Sequence, residues 1–271
     1  MKTKIIAVLI ALLALTSVFG QQSKTRTAGG GAYTIEVGGS TSVTPLMELL
    51  AAEYAKVKPN IKVNINGTGS GDGINNTGVL YQIGMSSREL TPAEQGKGLK
   101  ETIIAIDGIA VIVNKGNAVD NLTLEQIRNI YTGAITNWSQ VGGKNATIAV
   151  VSREEGSGTR GAFEEIARFQ GKLLANANQL TSTGAILANI AQNPDAIGYI
   201  SLGSLNDTIK AVSVNGVAAT SVNVVKGTYK IARPFIVLTG KNVHAESSAF
   251  IQWILSSAGQ KVVSKSWIPV K

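Results

Sequence analysis

Residues 147–160 read Thr-Ile-Ala-Val-Val-Ser-Arg-Glu-Glu-Gly-Ser-Gly-Thr-Arg. The run Thr147 to Val151 predicts a strand, residues 152–158 a loop, and Thr159 to Phe169 a helix with Phe163, Ile166 and Ala167 turned inward. The unit recurs upstream. Tyr33 to Val37 predicts a strand leading through Gly38-Gly39-Ser40-Thr41-Ser42 to a helix with Leu46, Leu49, Leu50, Tyr54 and Val57 on one face. Pro45 suits that helix's first turn and Pro59 follows its end. Ile61 to Ile65 leads through the Gly-rich residues 66–73 to a short helix, and Ile83 to Met85 leads into Ser86-Ser87-Arg88. All four loops leave the carboxyl end of a strand. This alternation predicts an α/β fold with largely parallel sheets.

Two apolar runs carry a break. Ile103 to Val113 is interrupted by Asp107-Gly108, and Ile231 to Leu238 by Arg233-Pro234. Each reads either as two buried strands or as a crossing between domains. Crossings at both breaks predict two α/β lobes, residues 33–108 with 230–271 forming lobe I and residues 109–229 lobe II, with a cleft between them. Inside the second, Thr123-Leu124-Glu125-Gln126 has the form of a capping box opening a helix through Tyr131.

A length of 271 residues fits roughly two domains. The net charge is +8, with 15% charged and 44% hydrophobic residues, a composition that folds rather than stays disordered. Without cysteine there is no disulfide, thiol nucleophile or Cys-based metal site. Residues 1–20 place Lys2 and Lys4 before the uninterrupted apolar run Ile5 to Leu15 and end at Gly20, which predicts a signal peptide rather than a membrane anchor. Residues 21–32 form a polar, Gly-rich lead-in. The expected mature chain is soluble and exported.

The 153–160 loop suits an anion, because a helix N-terminus offers unpaired N–H groups and partial positive charge. Gly156 and Gly158 allow close backbone approach, Ser157 and Thr159 add hydroxyls, and Arg153 adds a forked cation. Ser40, Thr41 and Ser42, then Thr68 to Ser70, then Ser86 to Arg88 repeat the pattern. Each alone is an ordinary cap or turn, but their common position favours one cleft ringed by donors. Gly69-Ser-Gly-Asp-Gly lacks the Gly-Lys-Ser/Thr ending of a nucleotide loop. A serine hydrolase needs a base, and the one histidine, His244, reads as a solvated loop residue. Lys and Arg are spread thinly and do not alternate with aromatics, which disfavours nucleic acid. Trp138, Trp253 and Trp267 read as packing residues. No cofactor or metal is expected.

Gly-Ser-Thr-Ser-Val-Thr-Pro at 39–45, Gly-Thr-Gly-Ser-Gly at 67–71, Gly-Met-Ser-Ser-Arg at 84–88, Asp-Gly-Ile-Ala-Val-Ile-Val-Asn at 107–114 and Arg-Glu-Glu-Gly-Ser-Gly-Thr-Arg at 153–160 resemble the periplasmic phosphate-binding proteins of phosphate ABC transporters. The resemblance spans nearly all of the expected mature chain. It implies a two-lobed type II periplasmic binding-protein fold that closes on phosphate and delivers it to membrane permease subunits, as a monomer and without catalysis. Position by position it implies phosphate donors at Ser40, Thr41, Ser42, Ser70, Arg153, Ser157, Gly158 and Thr159. Where some members carry an aspartate that accepts the phosphate proton, this chain has Ser87. The acceptor is then unassigned, with Asp72 the nearest candidate. The alternatives are a receptor for sulfate or another tetrahedral oxyanion, a secreted phosphatase, and an adhesion or signalling receptor on the same scaffold.

Overall fold

The computed structural model describes residues 32–270. The predicted signal peptide, and the lead-in apart from Ala32, lie outside the described residues. Strand β1 (Tyr33–Gly39) leads to helix α1 (Thr44–Val57), and β2 (Ile61–Gly67) leads to α2 (Ser70–Asn76). Then come β3 (Ile83–Ser86), the short α3 (Pro92–Gln95) and the 15-residue β4 (Lys100–Asn114). Beyond it lie β5 (Asn121–Leu122), α4 (Leu124–Tyr131), β6 (Ala149–Arg153), α5 (Gly158–Ile166), β7 (Asn178–Leu180), α6 (Thr183–Gln192), β8 (Ala196–Ser201), β9 (Ile209–Val214) and α7 (Ser221–Val225). The chain returns through β10 (Ala232–Thr239) and closes with α8 (Ala245–Ile254) and α9 (Ser257–Val263).

The strands follow the order β2-β1-β3-β10-β4-β8-β6-β7, with β9 paired to β4 and β5. The flanks are parallel: β1 pairs β2 and β3, and β6 pairs β7 and β8. The centre departs from the largely parallel sheet the alternation predicts, because β10 runs antiparallel to β3 and β4, and β4 antiparallel to β8 and β9. A chain that leaves one half and returns to it must cross in both directions, and that makes the central pair antiparallel.

The two apolar runs are continuous through their breaks. β4 pairs β10 from Lys100 to Gly108 and then, without interruption, β8 and β9 from Ile109 onward. The partners change at Asp107-Gly108. Burial follows the same seam. One apolar core runs from Ile35 to Ala105 and resumes at Phe235, while another begins at Ile109 and ends at Ile231. Gly108 is where the seam tightens, since a Cβ there would meet Val224 Cγ2 at 3.1 Å and Leu202 Cδ2 at 3.2 Å. These two groups of elements are called the first and second halves below.

Local signals fix the elements. Thr123 caps α4 by accepting from the Gln126 amide while Gln126 reaches back to the Thr123 amide, the predicted capping box. Helix α5 is shorter than the 159–169 reading, because the chain turns after Ala167 and Arg168 takes a φ of 60°. His244 is not free in a loop: its Nδ1 accepts from the Glu246 amide and caps α8, and its ring stacks on Tyr33 with centroids 4.1 Å apart. Trp138 and Trp267 are buried, and Trp138 Nε1 donates to the Asp195 carbonyl.

Candidate functional site

The loops after β1, β2, β3 and β6 meet at the seam between the halves. Ser42 of the β1–α1 loop touches Thr159 of α5, with the two hydroxyl oxygens 2.8 Å apart, and Thr183 of α6 at 3.2 Å. Thr41 Oγ1 lies 3.4 Å from Thr183 Oγ1. In the second cluster Ser70 opens α2, and its hydroxyl accepts the Ser87 amide at 3.1 Å and stands 3.3 Å from Ser87 Oγ. A Cβ on Gly158 would fall 2.3 Å from Ser70 Oγ and 2.8 Å from Ser87 Oγ. The third link is backbone, the Gly71 amide donating to the Gly156 carbonyl at 3.0 Å. Ser42, Ser70, Ser87, Ser157 and Thr159 are all buried. These contacts join hydroxyls or backbone of the first half to the second, so the seam is closed at this point.

Helix α5 begins here because Ser157 caps it, accepting the Arg160 amide, while the Ser157 carbonyl takes the Gly161 amide. The amides of Gly158 and Thr159 have by position no intrahelical acceptor and carry the positive end of the helix dipole. Arg153 ends β6 and is 2% exposed. Its Nε and Nη2 form a two-pronged pair with Glu154, both at 2.8 Å, and also donate to the carbonyls of Leu180 and Thr181. Nη1 makes no hydrogen bond among the described residues. Glu154 faces the first half as well, since a Cβ on Gly69 would lie 3.4 Å from its Oε1. Behind Arg153, Tyr199 bonds Ser152 Oγ at 2.8 Å and accepts the Arg153 amide, and burial pushes its phenol up to about 12, so it stays protonated.

Ser40 is buried but reaches nothing in the second half. Its hydroxyl accepts the Ser42 amide at 3.3 Å and its carbonyl takes the amides of Val43 and Thr44, so it shapes the loop. Asp72 is engaged within its own half. Its carboxylate accepts from Thr68 Oγ1, Asn76 Nδ2 and Tyr81 OH, all within the first half, and those donors hold it below the usual carboxylate range against the opposing effect of burial.

Chemically this is a nest of hydroxyls and orphan amides beside a buried guanidinium, suited to a compact oxyanion. The PBP superfamily domain matches residues 24–258. The chain belongs to the PBP superfamily. Within it, the chain stands in the family of the PstS phosphate-binding proteins. It is 31% identical to the phosphate-binding protein PstS of Borreliella burgdorferi over 244 residues, covering 85% of this chain and 88% of the relative. To the PstS of Bacillus subtilis it is 29% identical, covering 87% of this chain and 80% of the relative. Among solved structures, a phosphate ABC transporter substrate-binding protein with bound phosphate from Clostridium perfringens superposes with a TM-score of 0.86 at 45% identity, covering 88% of this chain and 100% of that one. An ABC-type phosphate transport receptor from Vibrio cholerae gives a TM-score of 0.73 at 36% identity, covering 87% and 99%. The fold of this PBP superfamily member is therefore the type II periplasmic binding-protein fold.

Three residues at the seam escaped sequence reading. Thr183 follows β7, which is only three residues long and mostly exposed, so no apolar alternation announces a strand before the Ser182-Thr183 helix start. The signal available was Ser-Thr-Gly at 182–184, the same vocabulary as the other loops. Asp107 and Arg233 lie 126 residues apart and are each 1% exposed in their side chains, with Arg233 Nη2 3.1 Å from Asp107 Oδ2. The breaks in both apolar runs marked them, but as boundaries rather than as partners.

Proposed function

We propose that this chain captures inorganic phosphate outside the cytoplasmic membrane, in the periplasm or otherwise secreted, and hands it to the permease subunits of a phosphate ABC importer. The observation that carries the reading is the meeting of Ser42 with Thr159 and of Ser70 and Ser87 with Gly158 across the seam, next to the buried Arg153. The two halves are then two lobes, residues 33–108 with 230–271 and residues 109–229, that part about β4 and β10 and close on the ion. Ser42, Ser70, Ser87, Ser157 and Thr159 supply hydroxyls, with Thr41 beside them. Gly158 and Thr159 supply amides, and Arg153 supplies charge. Thr183 adds a hydroxyl from the second lobe. A hydroxyl both donates and accepts, so the site takes a phosphate that still carries a proton without a dedicated carboxylate.

On this reading the protein is a monomeric binding protein and not an enzyme. The groups at the seam hold an oxyanion, and His244 is spent on capping α8. Among the described residues no helix is long and apolar enough to cross a membrane. Relatives whose names say phosphate-binding support the ligand. Sulfate is the second reading, and one observation favours it: Asp72 is engaged within its own half and the Glu154 carboxylate at the seam is already paired with Arg153, so the charge that would repel a fully ionised anion is partly neutralised. Titration calorimetry of the purified chain with phosphate and with sulfate decides. Phosphate binding tighter by at least about tenfold, a preference of about 1.4 kcal/mol, is expected. Equal or tighter sulfate binding overturns the assignment, and turnover of a chromogenic phosphomonoester would make the chain a phosphatase.

A further inference from the structure

We propose that Arg233, anchored on Asp107, is a positioning residue for the anion site; the inference rests on the phosphate reading above. Both side chains are buried where the two crossing strands change partners, Asp107 on β4 and Arg233 on β10. Arg233 donates through Nε at 3.2 Å and Nη2 at 3.1 Å to the same Asp107 oxygen, Oδ2. The other carboxylate oxygen accepts from Ser201 Oγ of the second half at 2.8 Å. The third guanidinium nitrogen, Nη1, turns to the first half and donates to the backbone carbonyl of Ser87 at 3.3 Å.

That last bond connects the pair to the site. The residue Ser87 is gripped on both sides: Ser70 Oγ accepts its amide and Arg233 holds its carbonyl. Its hydroxyl, 3.3 Å from Ser70 Oγ, is thereby fixed at the place where Gly158 of the second half closes in. The Phe235 ring lies under the guanidinium, with its centroid 5.3 Å away, and limits how far Arg233 can swing. Burial works against charge on both members, raising Asp107 and lowering Arg233, and each partner's charge opposes that shift in the other. One network thus touches both crossing strands, the second half at Ser201 and the anion site at Ser87. A binding residue held through a supporting shell loses affinity when that shell loosens, even with every ligand-contacting side chain intact.

Two variants separate positioning from bulk stability. Arg233→Lys keeps a cation for Asp107 but lacks the fork that reaches Ser87 as well. The double variant Asp107→Leu with Arg233→Met replaces the pair by apolar groups of similar size, a change that often leaves stability unharmed. We expect wild-type protein to bind phosphate in calorimetry, and both variants to bind it about tenfold more weakly, the equivalent of one lost hydrogen bond to a charged group. The double variant should meanwhile keep the wild-type urea midpoint. Phosphate affinity within twofold of wild type in Arg233→Lys, or in a folded double variant, overturns the proposal. A double variant that does not fold leaves Arg233→Lys to decide. If the wild-type protein itself binds no phosphate, the functional reading fails instead, and the two failures are told apart by that first titration.

Discussion

Replacing Gly158 by Ala should separate ligand capture from folding. Gly158 is the first residue of α5 and its φ lies outside the left-handed range, so alanine suits the local backbone and on helix propensity alone would stabilise it by up to about 1 kcal/mol. The obstacle lies across the seam. The new methyl carbon would stand 2.3 Å from Ser70 Oγ, 2.8 Å from Ser87 Oγ and 2.9 Å from Ser70 Cβ. Ordinary contact needs about 3.5 Å, so the two halves must stay roughly 1 Å further apart. Ser70 cannot yield easily, because it is fully buried and its hydroxyl holds the Ser87 amide. Overpacking of this kind costs about 1 to 3 kcal/mol, which would fall on the closed state and weaken phosphate binding by roughly 5- to 150-fold. Calorimetry gives the affinity and differential scanning fluorimetry without phosphate gives the stability. An unchanged dissociation constant in Gly158→Ala would refute the closed seam as the binding geometry.

Arg153→Ala should weaken phosphate binding by about 3 to 5 kcal/mol, since it leaves both the ion and Glu154 without their cation; equilibrium dialysis with circular dichroism as a control for folding tests it. Asp72→Asn should cost about 1 to 2 kcal/mol in urea unfolding, because the amide cannot accept from Thr68, Asn76 and Tyr81 together, while the phosphate-to-sulfate preference stays as in wild type. The pair Arg88–Glu94 predicts an acid-sensitive contribution. Hydrogen bonds from Arg88 hold the Glu94 carboxyl down to about 2, from an ordinary value of 4.5. A depressed carboxylate stabilises above its unfolded value and loses that contribution as pH falls towards its folded one. The stability gap between wild type and Glu94→Gln, about 1 to 2 kcal/mol at pH 6 after solvent screening, should therefore shrink between pH 5 and pH 2.5; a gap independent of pH would exclude the ion pair as its cause.

What could be read from the chain and what could not divide along physical lines. Strand-loop-helix units announce themselves through short-range rules, so the strand cores and the Thr123 capping box stand where local chemistry puts them, whereas all but residues 68 and 69 of the 66–73 loop reading belong to β2 and α2. Strand ends are less local: β1 and β2 run on through Gly39 and Gly67 because their backbones pair in register, which glycine permits and no side-chain pattern reports. The partners of Asp72 were legible only in part, because Tyr81, nine residues on, folds back to donate to its carboxylate. The Asp107–Arg233 pair depends on two strands meeting from opposite ends of the chain, and no window of residues contains it.

The strand order also bears on how the molecule is assembled in time. The second half is one uninterrupted stretch of chain, complete once Ile231 has been made. The first half is not: β3 waits for β10, and α1 waits for α8 and α9, all of which come last. Until then the edge of β3 is bare and Asp107 has neither its strand partner nor its cation. The middle of the chain therefore has the means to fold early, whereas the first half is sealed only by the final residues to be synthesised. A chain cut after Ile231 would retain Ser42, Ser70, Ser87, Arg153 and Thr159 in its sequence and yet lack the strand that brings their loops together.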